Sequence, residues 1–287
     1  MDLLRKYSAE IDKLIEMALK EDIGPGDITT EMIISDSTVV KGSFMAKAEG
    51  VLCGMPIMKK IFQKLDKDIK IDLKKKDGDL IKYGDILAYI KGKARALLTG
   101  ERLALNVLQR LSGVATITRK FVDIIKPYKK TKILDTRKTT PNLRVLEKYA
   151  VKIGGAENHR MGLYDAVLIK DNHLKIVGDE LEKKFVELRR FIPKNVKIEI
   201  ELHHTEFTER IVKLQPDIIM LDNMCLKVLD ETLSKIKALN YKGKIEVSGG
   251  INLSNVKDIA MRGVDYISIG MITHSPEALD ISFKIIQ

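Results

Sequence analysis

The chain has 287 residues, 45% of them hydrophobic and 31% charged, enough for one large or two modest domains with a true core. It has no run near the ~20 uninterrupted apolar residues that cross a bilayer, its charged start MDLLRKYSAEIDKLIEMALKED lacks a signal-peptide core, and two cysteines, Cys53 and Cys225, are too few for a disulfide framework and read as buried thiols. These features predict a cytoplasmic protein with no membrane partner; the net charge of +10 suits polyanionic small substrates, while 5% aromatics and lysines scattered in clusters such as Lys74-Lys75-Lys76 and Lys129-Lys130 argue against nucleic acid.

Residues 8–20 place Ile11, Leu14, Ile15, Ala18 and Leu19 on one face and predict an amphipathic helix. From 38 to 96 the pattern becomes strands with tight turns at Glu49-Gly50, Asp77-Gly78 and Tyr83-Gly84-Asp85, with alternating runs at Val39–Phe44 and Ile86–Ile90. This half reads as a small α+β domain. Residues 97–112 predict a bridging helix with the apolar stripe Ala104, Val107, Leu108 and Leu111, and Gly113 as its C′ residue. Arg102, Asn106 and Gln109 form a polar ridge along it.

After residue 113 strands and helices alternate. Six apolar runs are expected as strands buried on both faces: Lys132–Asp135, Ala166–Lys170, Ile198–Leu202, Ile218–Asp222, Ile245–Ser248 and Tyr266–Gly270. Thr140-Pro141 predicts an N-cap and N1 proline for the first intervening helix, which Gly154 can stop; Ser254 predicts a cap for another ending near Gly263. Repeated βα units imply a parallel sheet, and polar residues at nearly every strand end favour a barrel, whose chemistry sits there.

Those strand ends hold complementary groups. Arg137 and Lys138 follow the first strand, His159-Arg160 lies in a glycine-flanked loop, and Lys170 ends the second strand. Arginine offers a planar fork to a carboxylate; lysine is a point charge for phosphate, or a Schiff-base former if burial lowers its pKa. Glu199 and Glu201 share one face at period two, and Asp222 ends the next strand; such acids can grip a ribose diol or its metal and suit a cationic transition state. Ser248-Gly249-Gly250 and Gly270 end the last two strands, where glycine lets backbone N–H groups approach a phosphate. His203-His204 and Cys225 make no convincing zinc pattern.

The ordered motifs resemble the quinolinate phosphoribosyltransferase family. They are Glu21-Asp22-Ile23-Gly24 with Gly26–Thr30, Gly100-Glu101-Arg102 through Gly113, Asp135–Pro141, Asn158–Leu163, Ile169–His173, Leu221–Met224, Ser248–Ile251 and Thr273-His274-Ser275. The resemblance implies an N-terminal α/β sandwich over 1–112, with 276–287 expected to return to it. It implies a C-terminal α/β barrel over 113–275, of the type II phosphoribosyltransferase kind. It further implies a homodimer, with assembly beyond the dimer left open, in which Arg102 is expected to reach the partner's site. By position Arg102, Arg137, His159, Arg160 and Lys170 resemble the dicarboxylate pocket. Lys138 and Lys170 resemble the lysines near the phosphates and reacting ring. Glu201 and Asp222 resemble the acids at the ribose and the ligands of Mg²⁺, carried mainly by the substrate. Ser248, Gly249, Gly250, Gly270 and His274 resemble the phosphate site. The implied substrates are quinolinate and phosphoribosyl pyrophosphate, and the implied catalytic groups are Lys138, Lys170, Glu201 and Asp222. The family commonly has glycine where this chain has Asn142 and Ala156, which bears on the loop near His159.

Three rivals make different predictions. A phosphoribosyltransferase related to the ModD family would act on another heterocycle; the Arg137, His159, Arg160 and Lys170 group favours two carboxylates instead. A Schiff-base barrel enzyme would use Lys170. A non-catalytic nucleic-acid-binding protein would use the net charge alone.

Overall fold

Turn glycines and a β-branched, alternating sequence give the first part of the chain its strands. In the computed structural model, which describes residues 2–286, these follow α1 (Asp2–Lys6), α2 (Ser8–Ile23) and α3 (Ile28–Ile33). They are β1 (Val39–Ala46), β2 (Gly50–Val51), β3 (Lys70–Leu73), β4 (Leu80–Ile81) and β5 (Ile86–Lys93), with α4 (Met55–Leu65) after β2. The chain continues through α5 (Ala94–Ile125), β6 (Lys132–Leu134), α6 (Arg144–Gly154), β7 (Val167–Ile169), α7 (Asp171–Val177), α8 (Leu181–Phe191) and β8 (Ile198–Leu202). The remaining elements are α9 (Thr208–Leu214), β9 (Ile218–Asp222), α10 (Leu226–Ala238), β10 (Lys244–Ser248), α11 (Val256–Met261), β11 (Tyr266–Ser268), α12 (Met271–His274) and β12 (Ile281–Ile286). They group into two units. One runs through Arg119 and includes Thr139–Gly155 and the chain from Ile272; the other comprises Lys120–Lys138 and Ala156–Met271.

In the first unit, α2 buries Ile11, Ile15 and Leu19 at helical spacing, with Leu14 and Ala18 at the margin. The Gly26–Thr30 motif makes a helix start: Thr30 N–H and the Thr99 hydroxyl donate to the two oxygens of Asp27, the N-cap of α3. An antiparallel sheet runs β12-β1-β5-β3. Phe44 on β1 packs against Phe62 of α4 and Phe283 of β12, at ring separations of 6.0 and 4.8 Å. Beside Phe44, Gly42 leaves room for the Phe283 ring.

Two helix boundaries in the first unit differ from the sequence expectation. Gly113 does not end the bridging helix: α5 continues through it to Ile125. Glycine is required there because a Cβ would overlap the Glu277 carbonyl, so the residue serves close approach rather than termination. Thr140-Pro141 does not open α6. Leu143 N–H closes a turn onto Thr140 O, and the helix starts at Arg144, while the Thr140 hydroxyl donates to the buried Glu147 carboxylate at 2.8 Å. Gly154 is its last residue and Gly155 takes the left-handed φ of 101°.

The second unit is built on a six-stranded sheet in the order β6-β11-β10-β9-β8-β7, each registered pair parallel. The six expected strands are all present, three to five residues long. Five-residue β8 is buried throughout, as expected of a central strand, whereas β7, at the end of the order, is only half-buried. Ser254 does not cap α11; it bonds the Asn252 side chain, and Asn255 holds the cap position. Cys53 is buried, but Cys225 is exposed.

Candidate active site

The first strand end is organised by Asp135, wholly buried after β6. One oxygen accepts the Asn158 amide at 2.6 Å and the other the His159 N–H at 2.9 Å, pinning the loop to β6. Glu157 N–H bonds Ile133 O in the same stretch. Arg160 then turns back to donate to Ala166 O at 3.0 Å, while its buried Nε makes no hydrogen bond. Burial, and after it the nearby Arg137 charge, lowers the Arg160 pKa. A half-buried guanidinium with an unbonded Nε, on which a second guanidinium charge acts, suits an anion. Lys138 is exposed just after Arg137.

Behind this pair lies a buried acid cluster. His159 Nε2 stands 3.1 Å from Glu199 of β8 and 3.5 Å from Glu246 of β10. Its Nδ1 accepts the Arg160 N–H at 2.8 Å, which puts the ring proton on Nε2. The Ser268 hydroxyl donates to Glu246 at 2.5 Å. Strands β8 and β10 are separated by β9, so one ring reaching both shows that the sheet curls around this interior. Burial disfavours a second ring proton on His159 while the Glu199 and Glu246 carboxylates favour one, but Nδ1 already accepts the Arg160 N–H, so the ring is neutral with its proton on Nε2. Burial and the Glu246 charge push Glu199 up.

Glu201 continues β8 on the same face and is nearly buried. It meets His203 Nε2 at 2.5 Å and lies 3.9 Å from the half-exposed Lys170 ammonium. His203 Nδ1 lies 3.8 Å from Asp222, whose carboxylate accepts the Asn223 amide at 2.6 Å. Lys170 N–H is bonded by His173 at 2.9 Å, fixing the turn into α7. Two groups have ligand atoms within 4.8 Å of one another and could hold a cation: Asp171, Glu201 and His203, and His159, Glu199 and Glu246. Asp222 adjoins the first group through His203. Its carboxylates are hard oxygen donors of the kind Mg²⁺ takes alongside substrate phosphates.

Glycine turns follow β10. Gly249 and Gly250 have φ of 88° and 63°. A Cβ on Gly249 would press on Asn223, 2.6 Å from its backbone nitrogen, and Asn223 N–H bonds Ser248 O. The Gly250 carbonyl accepts the Asn255 amide at 3.0 Å. Gly270 follows β11 where Ile269 N–H bonds Leu134 O. The second unit thus brings Arg137, Lys138, His159, Arg160, Lys170, Glu201, Asp222, Ser248, Gly249, Gly250 and Gly270 to the C-terminal strand ends and the loops after them. Two expected site residues belong to the first unit: Arg102, exposed on α5, and His274, exposed at the end of α12 with Nδ1 2.6 Å from the Ser275 hydroxyl. Asn142 takes the left-handed conformation, φ 63°, which asparagine tolerates; Ala156 is buried and is not left-handed. Sequence reasoning missed Glu246, the anchoring by Asp135 and the link from His203 to the acids. Glu246 precedes Ser248 by two residues, and that same-face spacing on a strand was the signal.

A curled parallel sheet with paired guanidiniums, paired acids and glycine turns at its C-terminal strand ends defines an α/β enzyme for phosphorylated, anionic substrates. Residues 27–112 match the quinolinate phosphoribosyl transferase N-terminal domain and residues 114–284 its C-terminal domain. The chain belongs to the quinolinate phosphoribosyl transferase family. It is 42% identical over 276 residues to a probable nicotinate-nucleotide pyrophosphorylase [carboxylating] of Bacillus subtilis, covering 96% of this chain and 93% of the relative. The solved nicotinate-nucleotide pyrophosphorylase of Ehrlichia chaffeensis superposes with a TM-score of 0.89 at 40% identity, covering 96% and 98% of the two chains. That of Francisella tularensis gives 0.89 at 36% identity, covering 97% and 96%.

Proposed function

We propose that the protein is a quinolinate phosphoribosyltransferase (a carboxylating nicotinate-nucleotide pyrophosphorylase). It joins quinolinate to the phosphoribosyl group of phosphoribosyl pyrophosphate and yields nicotinate mononucleotide, CO₂ and pyrophosphate, a step of NAD biosynthesis. The observation that carries this reading is Arg160, half-buried at the strand ends with a buried Nε that makes no hydrogen bond and with the Arg137 charge acting on it, an arrangement a carboxylate satisfies. The names of the relatives agree with it.

In this reading Arg137, Arg160 and Lys170 hold the two carboxylates and aim the ring nitrogen at the ribose C1, while His159, whose ring nitrogens face Glu199, Glu246 and the Arg160 N–H, sets the loop that presents Arg160 and binds no carboxylate itself. The nitrogen forms its bond to C1 as the C1–oxygen bond breaks and pyrophosphate leaves with that electron pair. The cationic character of the sugar is met by the carboxylates of Glu201 and Asp222. Positioning and fixed charge do most of the work. The C2–carboxylate bond then breaks, CO₂ leaves, and the electron pair stays on C2 beside the positive nitrogen until C2 takes a proton. Lys138, the Ser248–Gly250 turn, Gly270 and His274 hold phosphate. Glu201 and Asp222 are the residues that would hold Mg²⁺, which neutralises pyrophosphate charge when bound. The working protein is a cytoplasmic homodimer in which Arg102 completes the partner's site; neither nucleic acid nor membrane is a partner. Among the described residues no helix is long and apolar enough to cross a membrane.

Calorimetric titration tests the pocket. Quinolinate is expected to bind, nicotinate to bind at least about tenfold more weakly, and Arg160→Ala to abolish the difference. Equal affinity for the two acids in the unaltered protein contradicts a dicarboxylate pocket.

A further inference from the structure

The interior beneath the two arginines is more acidic than a packed core requires. Glu199 and Glu246 have side chains 5% and 0% exposed, and each keeps one buried oxygen without a hydrogen bond. Burying two carboxylates costs several kcal/mol per ion unless each finds compensating charge, and an apolar pair would pack this space more cheaply. Unsatisfied buried polar atoms are uncommon in folded proteins and concentrate where function demands them. What these carboxylates reach is the His159 ring. It is gripped on one edge by Glu199 and Glu246, and on the other by the Arg160 N–H. Asp135 holds the same loop by the His159 N–H and the Asn158 amide. The Ser268 hydroxyl, from β11, orients the Glu246 carboxylate in turn. Strands β8, β10, β11 and β6 therefore all converge on one short loop, whose next residue is Arg160.

We propose that Glu199 and Glu246 are positioning residues: they clamp the His159 ring, and through it set the backbone that presents Arg160 to the carboxylated substrate. This rests on the quinolinate reading above. The action of the two carboxylates passes through the imidazole they face. The charge of Glu199 also favours the Arg160 guanidinium against the burial and the Arg137 charge that oppose it. A glutamine at either position keeps the shape and removes the charge. The clamp then loosens without opening a cavity, and the loss falls on the carboxylate substrate rather than on the phosphoribosyl donor.

The test is steady-state kinetics on Glu199→Gln and Glu246→Gln with both substrates varied, alongside thermal melting. Each variant is expected to raise the KM for quinolinate by about tenfold or more, the scale of a lost charged hydrogen bond, with the KM for phosphoribosyl pyrophosphate changed by less than about threefold. An unchanged quinolinate KM in folded variants, or equal rises in both KM values, overturns the proposal. A second measurement needs no variant: nitrogen-15 NMR of histidine-labelled protein. His159 is expected to carry a proton on Nε2, and a neutral ring protonated on Nδ1 overturns the clamp. Should the unaltered protein fail to consume quinolinate, the functional reading falls, while the NMR result decides the clamp separately.

Discussion

Arg137 and Arg160 differ from the surface cations in being half-buried, with the Arg137 charge opposing that of Arg160, and in the proposed reading this is what selects a carboxylate substrate. A planar fork meets a carboxylate through two parallel N–H bonds, which an ammonium cannot copy. Arg160→Lys should therefore raise the quinolinate KM by about 10- to 100-fold even though charge is kept, a loss measurable in initial rates. The His159 cluster makes a second residue-scale prediction. The ordinary pKa of a glutamate is 4.5, and burial and the Glu246 charge raise that of Glu199 to about 7. The folded cluster thus keeps a proton that the unfolded chain releases. Its stabilisation is complete at acid pH and is lost as pH rises through that folded value. Urea midpoints should fall between roughly pH 4.5 and 7, with a slope of at most about 1.4 kcal/mol per pH unit, and Glu246→Gln should flatten the curve. A midpoint that rises with pH, with no flattening in the variant, would count against the cluster. The charged groups on single strand ends were legible in the sequence because a polar residue closing an apolar run stands out. Glu246 and His203 were not, since their roles depend on partners from other strands: His159 lies 87 positions from Glu246 by subtraction, and Asp222 19 positions from His203.

At the scale of elements, the sequence pattern located all six parallel strands, the start of α2 and the Gly154 end of α6, but missed three other helix boundaries. Strands buried in a sheet advertise themselves by apolar runs of fixed length. Helix ends answer to tertiary partners as well, and two of the three misread boundaries show this. Gly113 has the local signature of a stop, yet its purpose is to admit the Glu277 backbone against α5. Alanine would gain about 1 kcal/mol in helix propensity there. Overlap with a backbone oxygen costs about 1–3 kcal/mol or more, so the overlap decides the sign. Gly113→Ala should lower the thermal midpoint by several degrees; a midpoint raised above the unaltered protein contradicts this account of the glycine. Thr140 looked like a cap, and its hydroxyl is instead spent on Glu147, which also accepts Arg110 at 2.7 Å. That buried ion pair was invisible to a local reading because Arg110 and Glu147 are 37 positions apart.

For the whole molecule, the family match covers nearly the full chain, and the proposal that Arg102 works in a partner's site is a separate claim about assembly. Symmetry makes this testable. In a two-fold dimer, mixing Arg102→Ala chains with Lys170→Ala chains produces heterodimers with one intact site. Activity should return to roughly a quarter of the unaltered level after random exchange of subunits. Mixtures as inactive as their parents would show that Arg102 serves its own chain. The most direct test of the central claim is release of CO₂ from carboxyl-labelled quinolinate in the presence of phosphoribosyl pyrophosphate and Mg²⁺. The account predicts release that requires all three components, appears together with pyrophosphate, and collapses in Arg137→Ala. Well-folded protein that binds phosphoribosyl pyrophosphate but liberates no CO₂ from quinolinate would contradict it.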